Sequence, residues 1–316
     1  MFERVLVPLD GSNFAERALS PALGLASRSG SPVDLVTVAN PASPEVKPSS
    51  PATRGDDSRE RGESQAEAYL DSVEERIRAE GYDGEIKRTV MPAGNVANSL
   101  VRYGQEVGVD LVVMTTHGRG PLRRAWLGST ADAVIRNSSA PVLLIRPPEE
   151  VGEEEDGPVD LAPTWSQGVG RALVPLDGSA RSESVLRIVR PLLSENGSLT
   201  LLQTVPPLTP GGYPYMPHTV REEKDQEEIK NAAMSYLEGK ARELEGGGRT
   251  VSVSVVTSNQ PAVAILRRAE ADAAQLIAMS TTGRGGAARL ILGSVADKVV
   301  RGSSVPVLVY RDPREA

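Results

Sequence analysis

The sequence contains no cysteine, which excludes disulfides, thiol catalysis and cysteine metal sites and fits a reducing compartment. Its two histidines, His117 and His218, are too few for zinc, which usually needs three or four nitrogen or sulfur ligands, so we expect no metal held by the protein alone. Aromatic residues make up 3% and the net charge is −7, a balance that disfavours nucleic acid as a partner. No apolar run approaches the ~20 residues that span a bilayer, and Met1 leads almost directly into a strand pattern, so we expect a cytoplasmic protein that does not bind membranes.

The chain repeats itself over its whole length. The segment 7–12, Val-Pro-Leu-Asp-Gly-Ser, recurs at 174–179, and the Leu-Gly-Ser of 127–129 and the Pro-Val-Leu of 141–143 recur at 292–294 and 306–308. The period is far longer than the roughly 20–50 residues of a solenoid unit, so a whole domain is duplicated. We therefore predict a first domain over 1–147, a linker over 148–168 and a second domain over 169–316.

Short apolar runs alternate with helical patterns in each half, which is typical of βαβ units around a parallel sheet. The fold class predicted is α/β, as two tandem doubly wound sandwiches, each with a five-stranded, mostly parallel sheet. The predicted strands are 4–9, 33–38, 85–90, 109–114 and 142–145, then 171–176, 199–205, 250–257, 275–279 and 307–310. The predicted helices of the first half are 12–28, 63–80, 95–106 and 127–136.

Three segments interrupt this alternation. Residues 40–60 and 206–219 are rich in proline or charge and are predicted to be mobile insertions, either lids over a ligand or simply loops. The linker carries many acidic residues and no basic one, which favours a solvated, self-repelling spacer.

The repeated polar loops follow strands, and in an open parallel sheet ligands bind at the carboxyl ends of strands, where strand order reverses. Glycines there let the backbone approach an anion, and a Gly-Ser at a helix start offers unpaired amides and the positive end of the helix dipole. Arg119 and Arg284 would add a charged fork. The alternative is purely structural: Ser129 and Ser294 cap helices, Asp10 and Asp177 shape turns, and the glycines allow tight corners.

The spacing Gly-x9-Gly-Ser from Gly118 to Ser129, and again from Gly283 to Ser294, resembles the universal stress proteins, whose nucleotide-binding members carry Gly-x-x-Gly-x9-Gly-Ser/Thr. The resemblance covers both halves almost entirely and implies a tandem protein with the adenine nucleotide α-hydrolase-like fold. It implies ATP or AMP as ligand, with magnesium bound only together with the nucleotide.

The resemblance also implies which residues contact the nucleotide. Pro8 and Asp10 would border it, the Val38 backbone would read the adenine edge, and Met114 and Thr115 would flank the ribose and phosphates. The phosphates would lie against Gly118, Arg119, Gly128, Ser129 and Thr130. The corresponding residues of the second half are Pro175, Asp177, Val205, Met279, Ser280, Gly283, Arg284, Gly293, Ser294 and Val295.

Thr115 and Ser280 stand where the motif has its first glycine. A β-branched residue cannot take a glycine-only backbone conformation cheaply, so we expect weaker binding, more so in the first half than in the second. This replacement motivates the second hypothesis, a nucleotide-free interaction module of the same fold.

The leading hypothesis is a nucleotide-responsive stress-response regulator with little or no catalysis, at most slow ATP hydrolysis. The chain lacks the Gly-x-x-x-x-Gly-Lys-Ser/Thr motif, and neither half repeats a histidine or carboxylate pair near the glycine loop that would position water. A third hypothesis, an ATP pyrophosphatase or flavoprotein of similar architecture, would need a Ser-Gly-Gly-rich loop after the first strand.

Single-domain members of the family commonly dimerise through their last strands. The resemblance therefore implies that strands 142–145 and 307–310 pair within one chain as an intramolecular pseudo-dimer, with a homodimer of tandem chains as the alternative. A protein partner is expected, but the sequence does not identify it.

Overall fold

The computed structural model describes residues 2–39, 56–116, 127–146, 159–208, 220–246, 248–281 and 292–312. The chain divides into two compact units, Met1–Gln167 and Gly168–Ala316. Within the described residues, no helix is both long and apolar enough to cross a membrane.

In the described part of the first unit, five strands form a parallel sheet in the order β3-β2-β1-β4-β5. Because β1 lies between β2 and β4, the strand order reverses beside β1. The strands are β1 Val5–Leu9, β2 Val33–Val38, β3 Ile86–Met91, β4 Leu111–Thr115 and β5 Val142–Ile145. The helices are α1 Asn13–Glu16, α2 Leu19–Ser29, α3 Asp56–Ala79, α4 Val96–Val107 and α5 Ser129–Asn137.

The second unit repeats this arrangement, with the sheet order β10-β9-β6-β7-β8 and parallel pairing throughout the described ladders. Its strands are β6 Val169–Pro175, β7 Leu193–Val205, β8 Thr250–Thr257, β9 Leu276–Ser280 and β10 Val307–Tyr310. Its helices are α6 Ala180–Glu183, α7 Leu186–Val189, a short 3-10 helix Arg190–Leu192, α8 Val220–Leu244, α9 Pro261–Ala271 and α10 Ser294–Gly302. The predicted fold class, two tandem α/β domains with parallel sheets, is confirmed.

The central strands are apolar without interruption because helices cover both faces of a parallel sheet. Residues 5–7 of β1 and 111–114 of β4 are all buried. This is why these strands are easy to find in the sequence, whereas the exposed helices are not.

Two predicted helices have different bounds in the structure. The predicted helix 12–28 is two helices, because the Arg17 and Ala18 amides bond to the carbonyls three residues earlier and tighten the turn between Glu16 and Leu19. The second unit breaks at the same place, between Glu183 and Leu186. Helix α3 begins at Asp56, so the last five residues of the predicted insertion 40–60 are helical, while 40–55 and 209–219 lie outside the described residues.

The end of the predicted linker packs on the first unit instead of being a solvated spacer. Leu161 is 2% exposed. The Ser20 hydroxyl on α2 donates to the Ala162 carbonyl at 2.6 Å, and the Thr164 amide donates to the Ser20 carbonyl at 3.1 Å. Residues 159–167 therefore belong with the first unit, and 148–158 lie outside the described residues.

Candidate functional site

The first unit contains a cavity of about 500 Å³ at the carboxyl ends of β1 and β2. Of the predicted contact residues, the cavity brings together Pro8, Asp10 and Val38. The remaining lining comes from the strand ends, from α3 and from the start of α4: Leu9, Gly11, Val36, Thr37, Ala39, Gly62, Gln65, Ala66, Tyr69, Ala93, Gly94, Val96 and Leu100. A volume in this range suits a small organic ligand, and the mixed apolar and polar walls are typical of such sites.

Asp10, at the mouth of the cavity, holds the turn that leads from β1 into α1. Its Oδ1 accepts hydrogen bonds from the Ser12 amide at 3.0 Å and the Ser12 hydroxyl at 2.5 Å. Gly11 between them has φ 80°, a conformation that favours glycine. The Ser12 hydroxyl in turn accepts from the Ala15 amide and caps α1.

The second unit builds the same turn from Asp177, Gly178 and Ser179. Asp177 Oδ1 accepts from the Ser179 amide at 3.0 Å and the Ser179 hydroxyl at 2.6 Å, and Gly178 also has φ 80°. The structural interpretation of Asp10 and Asp177 as turn-forming residues is therefore correct, and any ligand contact they make is additional to it.

Helix α3 supplies one wall of the cavity through Tyr69. The Tyr69 hydroxyl donates to Glu16 Oε1 at 3.0 Å, and Arg76 binds Glu16 Oε2 at 2.8 Å. Glu16 is 3% exposed, so this buried carboxylate is neutralised by an ion pair and a hydrogen bond. Burial and then the adjacent Glu16 charge raise the pKa of Tyr69, which keeps its hydroxyl protonated as a donor.

Thr115 and Ser280, which replace the first glycine of the motif, are the last residues of β4 and β9. Thr115 pairs with Ile145 and Ser280 with Tyr310 in extended ladders. Neither is among the described residues with positive φ. The expectation that these positions demand a glycine-only conformation is therefore wrong, because both backbones are ordinary strand.

Beyond these strands, one backbone hydrogen bond ties each strand end to the next helix. The Gly128 amide donates to the Thr116 carbonyl at 2.7 Å, and the Gly293 amide donates to the Thr281 carbonyl at 2.7 Å. This bond holds the start of α5 against the carboxyl end of β4, next to β1, and the start of α10 against β9 in the same way. The segments between, with Gly118, Arg119, Gly283 and Arg284, lie outside the described residues.

The starts of α5 and α10 use glycine as the capping residue. Gly128 and Gly293 are the N-caps, with ψ values of 149° and 148°, so Ser129 and Ser294 are the first helical residues and do not cap these helices. Both serines are exposed, and Thr130 and Val295 beside them are half-buried. The first amides of such a helix carry the positive end of its dipole. Met114 and Met279, in contrast, are each 6% exposed and belong to the core beneath.

Comparison with known proteins identifies the family. The model of the universal stress protein family matches residues 1–146 and 168–311. This chain belongs to the universal stress protein family.

Individual universal stress proteins match one or both halves. One from Methanocaldococcus jannaschii is 31% identical over 162 residues, which cover 48% of this chain and 85% of the relative. One from Mycolicibacterium smegmatis is 28% identical over 228 residues, 69% of this chain and 66% of the relative. The crystal structure of a universal stress protein from Archaeoglobus fulgidus covers 98% of this chain and 96% of its own, with TM-score 0.63 and 22% identity. The last comparison shows the fold of a tandem universal stress protein.

The strand register of the two universal stress domains corrects one predicted equivalence. Pro8 pairs with Val36 in the first domain, and the matching Pro175 pairs with Leu202 in the second. Two residues further along, the counterpart of Val38 is therefore Thr204, and Val205 corresponds to the buried Ala39. The sequence comparison missed this because the segment between the first two strands differs in length by one residue.

The cavity walls from α3 and α4 were not predicted, because the family motif contains no residue of these helices. One signal was available in the sequence: a Tyr-Leu pair stands at 69–70 and again at 236–237. In the structure, the Tyr236 hydroxyl donates to Glu183 Oε1 at 2.8 Å, just as Tyr69 donates to Glu16. The repeated glutamate and tyrosine thus anchor the long helix of each domain in the same register.

Proposed function

We propose that this protein binds an adenine nucleotide, ATP or AMP, in the cavity of its first domain, and acts as a nucleotide-responsive regulator of the stress response with little or no catalysis. The observation that carries the proposal is the cavity of about 500 Å³ over the carboxyl ends of β1 and β2. It lies beside the point where strand order reverses, which is where open α/β sheets bind ligands.

The cavity supplies separate surfaces for a base and a sugar. Val96 and Leu100 from α4 and the Tyr69 ring offer apolar walls for a flat base. Leu9 makes the last pair of β1, with Thr37, so the Val38 backbone lies one residue past the β1–β2 ladder, where it can bond a base edge. Asp10 is exposed at the rim, where its carboxylate can accept a hydrogen bond from a ribose hydroxyl.

The phosphates would extend from the cavity toward β4 and α5. Thr115 ends β4, and the bond from Gly128 to Thr116 fixes the α5 amides beside it. The amides and hydroxyls of Ser129 and Thr130 then meet the phosphate charge at the helix start. The second domain carries the same edge, with Pro175, Asp177, Met279, Ser280, Gly293, Ser294 and Val295 as the corresponding residues.

The proposal of little or no catalysis rests on the structural role of the Asp10 carboxylate at the strand edge. Asp10 Oδ1 holds the turn through two hydrogen bonds to Ser12, so using this group as a base would weaken the α1 cap. Binding with slow turnover fits a regulator whose bound state is read by a protein partner. Magnesium would enter with the nucleotide.

Titration calorimetry of the purified, nucleotide-stripped chain with ATP and magnesium tests the proposal, together with mass analysis of any nucleotide that copurifies. We expect saturable binding and a rise in melting temperature, since a ligand at 100 times its Kd stabilises the folded state by about 2.7 kcal/mol. Ser129→Asp should weaken binding by placing a negative charge at the phosphate, whereas Ser129→Asn, of similar size and uncharged, should weaken it much less.

The second candidate function is a nucleotide-free interaction module. It is favoured by the turns at Asp10 and Asp177, which explain the repeated Asp-Gly-Ser without any ligand. A chain that shows neither binding heat nor a shift in melting temperature with saturating magnesium-ATP would belong to this class.

A further inference from the structure

The two domains share their nucleotide-facing strand ends, but the helix that covers them differs. Tyr69-Leu70 and Tyr236-Leu237 fix the correspondence between α3 and α8, because both tyrosines donate to the equivalent glutamate and both leucines are fully buried. Counting back seven residues, two turns along the same face, Gly62 of α3 corresponds to Ile229 of α8.

Gly62 matters because it lines the cavity of the first domain. It is buried, and with no side chain it leaves the space below α3 open. Ile229 is half-buried, and its sec-butyl side chain at the same place on α8 would take up part of the space that Gly62 leaves open. Protein interiors are packed too tightly to absorb such a volume without displacement.

A second position, exposed in both domains, differs just before α4 and α9. Val38 pairs with Met91, and its counterpart Thr204 pairs with Val256. Three residues beyond these partners, Gly94 of the first domain therefore corresponds to Asn259. Gly94 also lines the cavity, and a side chain built on it would meet no atom within 4 Å, so it would extend into open space.

We propose that the two domains are not equivalent nucleotide sites: Gly62 and Gly94 keep the first open, and Ile229 and Asn259 close the second to a nucleotide. This inference rests on the proposed nucleotide binding and assigns it to one half. It reverses the expectation from the motif, which favoured the second half because Ser280 is smaller than Thr115. The second domain then keeps the fold and the family motif without the ligand.

Exchanging these residues between the domains tests whether only the first domain binds nucleotide. Magnesium-ATP is titrated calorimetrically into the full-length chain after bound nucleotide has been removed. Gly62→Ile should weaken binding roughly 10- to 100-fold through overpacking, and Gly94→Asn should weaken it independently from another element. Ile229→Gly combined with Asn259→Gly should raise the number of bound equivalents from one to two.

The control variants introduce isoleucine into α3 and glycine into α8 at positions two residues beyond Gly62 and Ile229. Ser64 and Asn231 are exposed and correspond to each other, so Ser64→Ile and Asn231→Gly should leave both affinity and stoichiometry as in the unmodified chain. Circular dichroism and melting temperatures show whether each variant folds. Gly94→Asn, whose Cβ would meet no atom within 4 Å, keeps the test valid if Gly62→Ile does not fold.

The outcomes separate this inference from the function on which it rests. Two equal equivalents in the unmodified chain would overturn the inference and leave nucleotide binding intact. Undiminished affinity in Gly62→Ile and Gly94→Asn, or a single equivalent in the chain that carries both Ile229→Gly and Asn259→Gly, would do the same. Absence of binding in every chain would remove the proposed function and the inference with it.

Discussion

Gly24 on α2 lies against the backbone of residues 164 and 166, near the end of the first unit. A Cβ at this position would overlap the Thr164 carbonyl oxygen and would lie 2.6 Å from its carbon. Both contacts are backbone, so a small side-chain rotation cannot relieve them. Gly24→Ala should therefore lift residues 159–167 off α2.

The magnitude follows from what the docked segment contributes. Exposing the buried Leu161 costs about 1.5–3 kcal/mol, and the bonds between Ser20 and residues 162 and 164 contribute a net of about 1 kcal/mol each, so release costs at most about 3.5–5 kcal/mol. Chain entropy that the released residues regain offsets part of this loss. Against this, alanine favours a helix over glycine by about 1 kcal/mol. The net expectation is a loss of about 1–2 kcal/mol in the unfolding free energy of the first domain.

The sign of the change makes the test decisive. If the segment were not docked in solution, Gly24→Ala would stabilise α2 by about 1 kcal/mol, as for any open helical glycine. Gly104→Ala on α4 is the matched control, because its Cβ would meet only Val109, at an ordinary 3.5 Å. Urea denaturation measures both variants. In a Trp126→Phe background the fluorescence of Trp165 should shift to the red only in Gly24→Ala. A stabilised Gly24→Ala with unchanged fluorescence would refute the docking.

Three further predictions concern single contacts. Arg4→Met should destabilise the first domain by about 2–4 kcal/mol in urea denaturation, because it leaves the fully buried Asp34 without the guanidinium that binds it at 2.7 Å; a loss below 1 kcal/mol would contradict this. Gln203→Met should raise stability by about 1 kcal/mol, because within the described structure the buried Oε1 of Gln203 has no hydrogen-bond partner; an unchanged or lower melting temperature would show that this oxygen is satisfied in solution. The pKa of Lys240 is raised above 10.5 by its hydrogen bonds to Glu183 and Glu243, so its contribution to stability is complete below pH 10.5 and is lost as the pH rises through the folded pKa; Lys240→Met should flatten the stability profile in that range, and a profile as steep as in the parent chain would exclude this residue as the source.

Much of the fold could be predicted because its strands are short runs rich in valine, leucine and isoleucine between turn residues. Strands such as Val33–Val38 and Thr250–Thr257 have the predicted bounds. Strand β7 begins at Leu193, six residues before the predicted start. The early part was missed because it is polar and pairs across a register shift. The first turns of helix α3 were missed for a similar reason, because they are charged and show no apolar period. Acidic residues at a helix start nevertheless suit the helix dipole.

The break after α1 could not be predicted from residue types. Pro21 lies in the first turn of α2, where proline is tolerated, but the second domain breaks at the same place with Ile188 in the corresponding position. There the Ser184 amide, which follows α6, donates to the Arg181 carbonyl at 3.3 Å as well as to the Ala180 carbonyl at 3.1 Å, a tightening of the turn at the end of α6. The break is therefore set by packing against the sheet, which a helical period does not encode.

The candidate site was predictable only on its strand side. Pro8, Asp10 and Val38 line the cavity, and the motif points to them because strand ends and glycine turns have recognisable residue types. The wall from α3 is different, since Gly62 and Tyr69 are spaced like any residues on one helical face. Their position over the strands becomes visible only when Glu16 binds Tyr69 and Arg76 and so fixes the helix.

The difference between the strand side and the helix side of the site explains how two domains with one motif can differ in what they bind. The motif describes a strand edge that the fold itself requires, since Asp10 and Asp177 hold the same turn whether or not a ligand is present. Ligand volume is decided instead by the covering helix, which a tyrosine–glutamate hydrogen bond helps to fix in each domain and whose sequence is free to vary two turns away. At that distance the first domain has Gly62 and the second has Ile229. Occupancy should therefore follow the covering helix more closely than it follows the glycine motif.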